Sequence, residues 1–194
     1  MACALAATLT VLGTVAIAAG VQGRTVRDLE GRVHRPFEPS ARVSVLLFTT
    51  SDCPIANGYA PDIARVCRAY APRGVDCLLL YEDAGIEAVS AREHRLAYGL
   101  ESIAASIDAD RTIAAAAGAT VTPEAVVVDR TGGIRYRGRI DNTYVALGRR
   151  RPTPTTHDLR DALDAVLAGR TVTQPATEAF GCFIAPASRE QVSR

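Results

Sequence analysis

The residues best suited to chemistry in this chain are cysteines. The sequence contains five of them, together with three histidines and no tryptophan. Cys53 is the first candidate, since it follows an apolar run and directly precedes Pro54, a residue type favoured at the first position of a helix. A thiol at a helix N-terminus is favoured as the thiolate, because unpaired backbone N–H groups and the helix dipole stabilise its charge, whereas the adjacent Asp52 opposes ionisation. The pattern predicts a reactive thiol at Cys53, and the alternative is a cysteine that packs as a small apolar side chain.

Regular elements on both sides must hold Cys53 in place. Residues 43–49 form a continuous β-rich apolar run, which is typical of a strand buried on both faces. The residues after Pro54 carry an apolar stripe at helical spacing, and Pro61 should either kink that helix or mark its restart. The order of the elements predicts an α/β sandwich in which helices flank a mixed sheet. The further predicted elements are a strand at 75–81, helices at 86–98 and 111–117, strands at 125–128 and 134–140 joined by a turn at 130–133, and a last helix opened by a capping box from Thr155 to Asp158 and ended at Gly169.

Composition and charge limit the classes of function. The chain has 194 residues, of which 48% are hydrophobic, so it can bury a sizeable core in one principal domain. Its formal net charge is only +1, which argues against a function built on a broad electrostatic surface for nucleic acid or anionic membrane. No nucleic-acid partner is therefore expected.

Residues 1–20 have the composition of a signal peptide. Residues 2–20 contain no charge and end in small side chains. The basic residues that usually precede such a segment are missing, so the alternatives are an uncleaved anchor or a misassigned start. We expect a periplasmic or secreted protein that is cleaved between about residues 18 and 23 and contacts a membrane only if the segment is retained. Cys3 would leave with the signal.

The chain resembles the thioredoxin-like redoxins, a superfamily that includes thioredoxins, exported redoxins and the alkyl hydroperoxide reductase/thiol-specific antioxidant group. The resemblance covers residues 24–169 and implies a three-layer thioredoxin-like sandwich, with 170–194 as a C-terminal tail. It also implies that Pro123 is cis and that Pro54, Thr122 and Pro123 contribute to a substrate groove beside the reactive sulfur. The features that carry it are the strand 43–49 leading into Cys53-Pro54-Ile55-Ala56, Pro61, Thr122-Pro123 before the next strand, and the hairpin that ends Arg135-Tyr136-Arg137-Gly138-Arg139.

Departures from the family pattern bear on the mechanism. Thioredoxins carry a second active-site cysteine where this chain has Ala56, so a local dithiol cannot form and a one-cysteine site is expected. Peroxiredoxins carry Pro-x-x-x-Thr-x-x-Cys; Thr50 matches the threonine, but Leu46 stands where the proline should be. The family's active-site arginine is matched best by Arg135, and Arg137 points to the same side of its strand. The other interpretation of both arginines is a solvent-exposed hairpin face.

The remaining mature cysteines fall into two groups. Cys67 lies on the apolar stripe of a helix and Cys77 in a buried strand, so both are predicted to be structural, paired or free. Cys182 lies in a small apolar cluster within an otherwise polar tail, and such segments usually dock. Through a flexible link Cys182 could reach Cys53 as a resolving thiol or bind a partner's thiol. Alternatively, the segment is a docking plug whose cysteine has no chemical role.

The histidines do not predict a metal site. His34, His94 and His157 fall in polar or charged segments and are expected at the surface. A soft copper site like that of the Sco copper chaperones would need a second cysteine where Asn57 stands. Neither a metal nor another cofactor is expected.

These features favour an exported thiol oxidoreductase. The Cys53 thiolate would attack a disulfide or a peroxide, giving a mixed disulfide or a sulfenic acid, and Cys182 is a candidate to resolve it. In this interpretation Thr50 positions the thiolate and Arg135 supplies positive charge. The expected partner is a thiol or disulfide protein or a peroxide, and the residues do not separate these two. The rival hypothesis is a non-catalytic module that binds a protein or metal through the same groove.

Overall fold

The core of the protein is a five-stranded mixed β-sheet. The computed structural model describes residues 23–146 and 148–186. The strands are β1 (Val26–Arg27), β2 (Val33–His34), β3 (Val43–Thr49), β4 (Val75–Tyr81), β5 (Ala104–Ile107), β6 (Val121–Thr122), β7 (Glu124–Asp129), β8 (Ile134–Gly138), β9 (Tyr144–Ala146), β10 (Arg149–Arg150) and β11 (Cys182–Phe183). The central sheet has the order β5-β4-β3-β7-β8, while β1 pairs with β2, β9 with β10 and β6 with β11.

β3 lies at the centre of the sheet, and all seven of its residues are buried. It pairs in parallel with β4, from Val43 opposite Val75 to Thr49 opposite Tyr81. On its other side it pairs antiparallel with β7, whose Asp129 lies opposite Val43. The two ladders satisfy the backbone groups of this apolar strand, which confirms the prediction of a strand buried on both faces. Because β3 and β4 are parallel, the loops that follow Thr49 and Tyr81 leave at the same edge of the sheet.

Helices cover both faces of the sheet. They are α1 (Pro54–Tyr70), α2 (Ala88–Ala97), α3 (Thr112–Ala117) and α4 (Asp158–Leu167), with a 3-10 turn at Ala71–Arg73. Successive β3 side chains point to opposite faces. Val45 and Leu47 join one apolar cluster with residues of α1 and α4, while Leu46 and Phe48 join another with residues of α3. The result is the predicted three-layer α/β sandwich.

α4 begins later than the sequence predicted. The proposed capping box from Thr155 to Asp158 does not form, because Asn142 takes both groups of Thr155: its Oδ1 accepts the Thr155 N–H at 2.8 Å, and its Nδ2 donates to the Thr155 hydroxyl at 2.7 Å. The helix starts at Asp158, whose carboxylate accepts two hydrogen bonds from the Arg139 guanidinium at 2.9 and 3.0 Å. A contact from a distant loop therefore takes the donor and the acceptor of Thr155 that the local motif was expected to use.

The described part of the C-terminal tail is docked on the domain. Arg137 in β8 donates its backbone N–H to the Pro175 carbonyl at 2.9 Å and accepts from Thr177 at 3.1 Å. Further along, β11 pairs antiparallel with β6, and Ile184 N–H donates to the Thr120 carbonyl at 2.9 Å. The stretch between α4 and Cys182, expected to be a flexible link, is held by backbone pairs at residues 175 and 177, while the segment around Cys182 is docked, as expected for an apolar segment in a polar tail.

Cys67 and Cys77 form a disulfide, with their Cα atoms 5.9 Å apart. The bond joins the second half of α1 to β4. This confirms the predicted structural role of both cysteines and decides in favour of the paired alternative.

The described chain begins with the β1–β2 hairpin, in which Val26 lies opposite His34. Burial raises the pKa of Asp28, but hydrogen bonds from His34 and Arg32 outweigh burial and lower that pKa to about 2.

The proposed signal segment, residues 1–20, lies outside the described residues. Among residues 23–146 and 148–186, no helix is both long enough and apolar enough to cross a membrane.

Candidate active site

Cys53 lies where the chain passes from β3 into α1. It is the N-cap residue of α1, and Pro54 occupies the first turn as predicted. The Ala56 backbone N–H donates to Cys53 Sγ at 3.5 Å, so the sulfur serves as the cap acceptor that a side-chain oxygen usually provides. α1 continues through Pro61 without a restart. Cys53 is 0% exposed, so the thiol is enclosed by neighbouring residues in this state.

The Thr122–Pro123 peptide forms one wall beside the sulfur. This peptide bond is cis, as the family resemblance implied. The Cys53 thiol donates to the Thr122 carbonyl oxygen at 3.1 Å, and Thr122 is fully buried. The structure therefore brings Cys53, Pro54, Thr122 and Pro123 together, while their part in binding a substrate stays a prediction.

Cys182 lies directly beside Cys53. In the β11–β6 pair, Cys182 is opposite Thr122, the same residue that contacts the Cys53 sulfur. Cys182 packs against the apolar cluster that contains Cys53, and the thiol and backbone N–H of Cys182 both act to lower the pKa of Cys53. Both cysteines are free thiols. The tail thus supplies the second sulfur that the segment after Cys53 lacks.

The two thiols have pKa values displaced in opposite directions. Burial raises the pKa of Cys53, but hydrogen bonds from the Cys182 thiol and from the backbone N–H groups of Ala56 and Cys182 outweigh burial, so the pKa is lowered. Burial raises the pKa of Cys182 to about 11, with further contributions from the hydrogen bond to Cys53 and from the charges of Cys53 and Asp52. When the pKa values of two neighbouring titratable groups are shifted apart in this way, the two groups can take different roles in a reaction. Of the two thiols, Cys53 is therefore the one that ionises more readily, and Cys182 is the one that holds its proton to higher pH.

Gly181 allows the tail to approach the cis peptide closely. A Cβ atom on this residue would overlap the carbonyl group of Thr122 and lie 3.2 Å from the Pro123 nitrogen. Any larger side chain would therefore push β11 away from β6. The close approach is what places Cys182 against Cys53.

Thr50 contributes to the site through Thr122 rather than through the sulfur. Its hydroxyl oxygen lies 3.1 Å from the Thr122 hydroxyl oxygen, and its carbonyl accepts the Cys53 backbone N–H at 3.4 Å. Thr50 thus ties the Cys53 loop to the cis-proline segment. No hydrogen bond joins the Thr50 hydroxyl to Cys53 Sγ in this structure. Thr50 therefore does not position the sulfur through a direct contact.

Arg135, the predicted cationic residue, lies at the other end of the sheet. Its guanidinium is ion-paired with Asp129, which lies opposite Val43 at the start of β3, whereas Cys53 follows the end of that strand. Seven strand residues separate the two ends by about 20 Å. Arg137 does not replace it, because its guanidinium donates to the Gly118 carbonyl at 3.0 Å. The register of the hairpin therefore overturns the placement of Arg135 at the thiol.

A hydrogen-bonded chain that sequence reasoning missed supports the Cys53 loop. Ser51 donates its backbone N–H to Asp83 at 2.9 Å, and Asn57 Nδ2 donates to the Ser51 carbonyl at 2.9 Å. Asn57 Oδ1 accepts from His94 Nε2 at 2.8 Å, which leaves His94 Nδ1 to accept from the Tyr81 hydroxyl, also at 2.8 Å. The chain connects the loop to β4 and α2 and orients the first turns of α1.

His94 is buried, not at the surface as expected from its charged neighbours. It is 9% exposed, and burial lowers its pKa. The charged residues next to His94 in the sequence do not predict that it lies on the inner face of α2. Asp83 did carry a usable signal: it follows β4 as Ser51 follows β3, and parallel neighbours end at the same edge of a sheet.

Metal-ligating side chains are not gathered at this site. Across residues 23–146 and 148–186, no group of three or more histidine, cysteine, aspartate or glutamate side chains is arranged to hold a metal ion. The chemistry that the described site offers is that of two adjacent thiols.

Comparisons with known proteins give structural neighbours only. No protein-family model matches the chain, and no curated protein matches it. A hypothetical protein from Sinorhizobium meliloti 1021 superposes with a TM-score of 0.74 and 22% identity, over 91% of this chain and 97% of that one. A thioredoxin-like protein from Aeropyrum pernix gives a TM-score of 0.54 with 15% identity, over 75% of this chain and 88% of that one.

A third neighbour has a described activity. It is a secreted Mycobacterium tuberculosis disulfide oxidoreductase homologous to E. coli DsbE, with a TM-score of 0.51 and 20% identity over 75% of this chain and 95% of that one. At these identities the similarity concerns the fold. Together with the mixed sheet, its flanking helices and the cis-proline beside Cys53, it shows that this chain has a thioredoxin-like fold.

Proposed function

We propose that the protein is a thiol–disulfide oxidoreductase in which Cys53 is the nucleophile and Cys182 the resolving thiol. The observation that carries the proposal is the position of two free thiols beside the same residue: Cys182 lies opposite Thr122 in the β6–β11 pair, and Cys53 Sγ contacts the Thr122 carbonyl. The docked tail would then replace the second cysteine that thioredoxins carry where this chain has Ala56.

The exchange proceeds in two steps that balance. The Cys53 thiolate attacks one sulfur of a substrate disulfide, forming a mixed disulfide and releasing the other substrate sulfur as a thiolate. The Cys182 thiol gives up its proton to that leaving thiolate and attacks Cys53 Sγ. This forms the Cys53–Cys182 disulfide and frees the second substrate sulfur, so two electrons pass from the protein dithiol to the substrate. The same steps in reverse oxidise a substrate dithiol.

The electrostatics of the pair favour this order. While Cys53 is a thiolate, its charge helps to hold the pKa of Cys182 high, so Cys182 remains protonated. Once Cys53 is in a mixed disulfide, its sulfur is neutral and that contribution disappears. The pKa of Cys182 then falls, and Cys182 becomes a nucleophile at the stage when one is needed.

A substrate must displace part of β11 to reach Cys53. The sulfur is buried between the N-terminus of α1, the Thr122–Pro123 segment and Cys182. We assign Pro54, Thr122 and Pro123 to the surface that an incoming disulfide would contact. Phe183, next to Cys182, is 88% exposed, so the packing that the segment must give up when it moves is that of Cys182 and Ile184.

Peroxide reduction is the second candidate, and it differs in the first step. The thiolate would attack a peroxide oxygen, giving a sulfenic acid and an alcohol or water, and Cys182 would condense with the sulfenic acid, releasing water. The contacts of Thr50 and Arg135 give this reaction less support than exchange, since neither side chain touches the sulfur. A non-catalytic binding module is the third possibility.

We propose that the protein acts outside the cytoplasm. The support is the signal-like composition of residues 2–20, the Cys67–Cys77 disulfide, a bond type that persists in oxidising compartments, and the secreted oxidoreductase among the structural neighbours. Mass spectrometry of the protein recovered from periplasm and medium tests this. A mature N-terminus near residues 18–23 in those fractions supports export, whereas an intact N-terminus confined to the cytoplasm overturns it.

The exchange proposal is tested with oxidised glutathione and peptide mapping. One equivalent added to the reduced-site protein should give the Cys53–Cys182 disulfide and two molecules of reduced glutathione. Cys182→Ser should stop at a Cys53–glutathione mixed disulfide, and Cys53→Ser should leave Cys182 largely unreacted. A wild-type product with glutathione on Cys53 and a free Cys182 would rule out the resolving role. No reaction at Cys53 with glutathione or with hydrogen peroxide would favour the binding module.

A further inference from the structure

A charged groove lies at the end of the sheet opposite Cys53. It is formed by the start of β3, the β7–β8 turn, the C-terminal end of α4 and the first residues of the tail, and it encloses about 550 Å³. This volume is within the range of small-molecule sites. We call it the arginine groove after the four arginines that line it: Arg42, Arg130, Arg135 and Arg170.

The lining of the arginine groove carries more positive than negative charge. Asp129 is the one carboxylate among its lining residues. Its Oδ2 accepts the Arg135 Nε–H, while its Oδ1 accepts the backbone N–H groups of Thr131 and Gly133 at 2.8 and 3.0 Å. Both oxygens of the Asp129 carboxylate are therefore already hydrogen-bonded, within the β7–β8 turn and to Arg135.

The other three arginines have no acidic partner in the part of the chain that the structure describes. Arg42, Arg130 and Arg170 form no ion pair within 4.0 Å among the described residues, since the recorded pairs involve other cations. Three excess positive charges thus share one groove in a chain whose formal net charge is +1. Like charges held together repel, and a bound polyanion would relieve this repulsion.

The groove also has features that suit a defined ligand. The Arg42 guanidinium donates to the Leu167 carbonyl at 3.1 Å, which fixes one wall. Ile134, Leu167 and Val172 add apolar surface between the arginines. Guanidinium groups bind phosphate and carboxylate through paired N–H donors. We propose that the arginine groove binds a small molecule that carries at least two phosphate or carboxylate groups.

A second basic surface provides a matched control. Arg149 and Arg150 in β10 are exposed and, like Arg130 and Arg170, take part in no ion pair among the described residues. They lie on a hairpin that does not line the arginine groove. Removing two charges there changes the net charge of the protein equally without altering the proposed site.

The test is calorimetric titration with inorganic pyrophosphate and, separately, with citrate, at constant ionic strength set with sodium chloride. We expect saturable binding with one site per chain for at least one of the two anions. Arg130→Gln with Arg170→Gln should weaken it at least tenfold, whereas Arg149→Gln with Arg150→Gln should change it less than twofold. Thermal melts check that both double variants fold.

Two results would overturn the proposal. One is the absence of saturable binding of both anions to the wild-type protein. The other is equal weakening by the two double variants, which would indicate attraction to overall charge. The thiol chemistry is separable, since Cys53→Ser lies at the other end of the sheet and should bind the anion as the wild-type protein does.

Discussion

The Cys53 thiol donates a hydrogen bond to the carbonyl oxygen of Thr122 at 3.1 Å, and Thr122 is also the residue that lies opposite Cys182 in the β6–β11 pair. One backbone segment therefore sets the position of both sulfurs. Any change that moves Thr122 relative to β11 should separate the thiols, and changes elsewhere in the fold should not.

Replacing Cys182 should raise the pKa of Cys53. The Cys182 thiol provides the main hydrogen bond that lowers this pKa against the effect of burial. Cys182→Ala removes that donor but keeps the backbone N–H, so the titration of Cys53 should move to higher pH, toward or beyond the value of about 8.5 for a free thiol. Thiolate absorbance at 240 nm between pH 5 and 9 measures it. Cys182→Ser retains a hydroxyl donor and should shift the pKa less, and identical titrations for wild type and Cys182→Ala would contradict the assigned hydrogen bond.

Gly181→Ala should displace β11 from β6. The added Cβ overlaps the Thr122 carbonyl, and such overpacking typically costs about 1–3 kcal/mol. We expect Cys182 to be alkylated faster under native conditions and the reaction of Cys53 with glutathione to stop more often at the mixed disulfide. Gly133→Ala is the control, because the nearest atoms there belong to the movable Arg135 side chain. Equal alkylation rates in the two variants would show that β11 does not depend on the close approach.

Glu82 should make the protein less stable as the pH rises. Both carboxylate oxygens are buried without a hydrogen-bond partner in the described structure. Burial, followed by the charge of Asp108, raises the pKa of Glu82 to about 9. Below the ordinary pKa of 4.5 the folded and unfolded states both hold the proton. Between that pH and about 9 only the unfolded state releases it, so the free energy of unfolding falls by up to about 1.4 kcal/mol per pH unit from this group.

The measurement is urea denaturation of wild type and Glu82→Gln between pH 5 and 9. The stability of the variant relative to wild type should increase with pH, because glutamine has no proton to release. Glu93→Gln, which replaces an exposed carboxylate on α2, should leave the pH dependence nearly unchanged. A constant difference between wild type and Glu82→Gln across this range would mean that Glu82 is ionised in the folded protein.

The Cys67–Cys77 disulfide should contribute stability without affecting the site. It closes a short loop, with a sequence separation of 10, for which the chain-entropy model gives about 2–3 kcal/mol. Cys67→Ala with Cys77→Ala should lower the free energy of unfolding by that amount in urea titrations. The glutathione reaction of Cys53 should be unchanged, since Cys67 lies about 20 Å further along α1. A slower reaction at Cys53 would indicate that the disulfide also positions the N-terminus of α1.

The sequence by itself determined the elements that position Cys53. The apolar run at 43–49 predicted the central strand, the Cys53-Pro54 step predicted the start of α1, and the turn at 130–133 predicted the β7–β8 hairpin, all of which the structure contains. Family resemblance added the cis bond before Pro123. These features are local, because strand burial, helix capping and turn formation depend on residues close together in the chain.

The tertiary structure alone decided which distant side chains meet. The hairpin register placed Arg135 beside Asp129 instead of beside the thiol, and the packing of α2 turned His94 inward onto Tyr81. The path of the tail brought Cys182 to Cys53. The composition of the tail had left open whether Cys182 resolves Cys53, binds a partner's thiol or lies in a docking plug without a chemical role. Such contacts depend on strand register, helix rotation and loop path summed over the whole chain, and a one-residue change in register moves a side chain to the other face of a sheet. Local patterns therefore pointed to Cys53 as the candidate reactive cysteine, while only the folded chain placed Cys182 beside it.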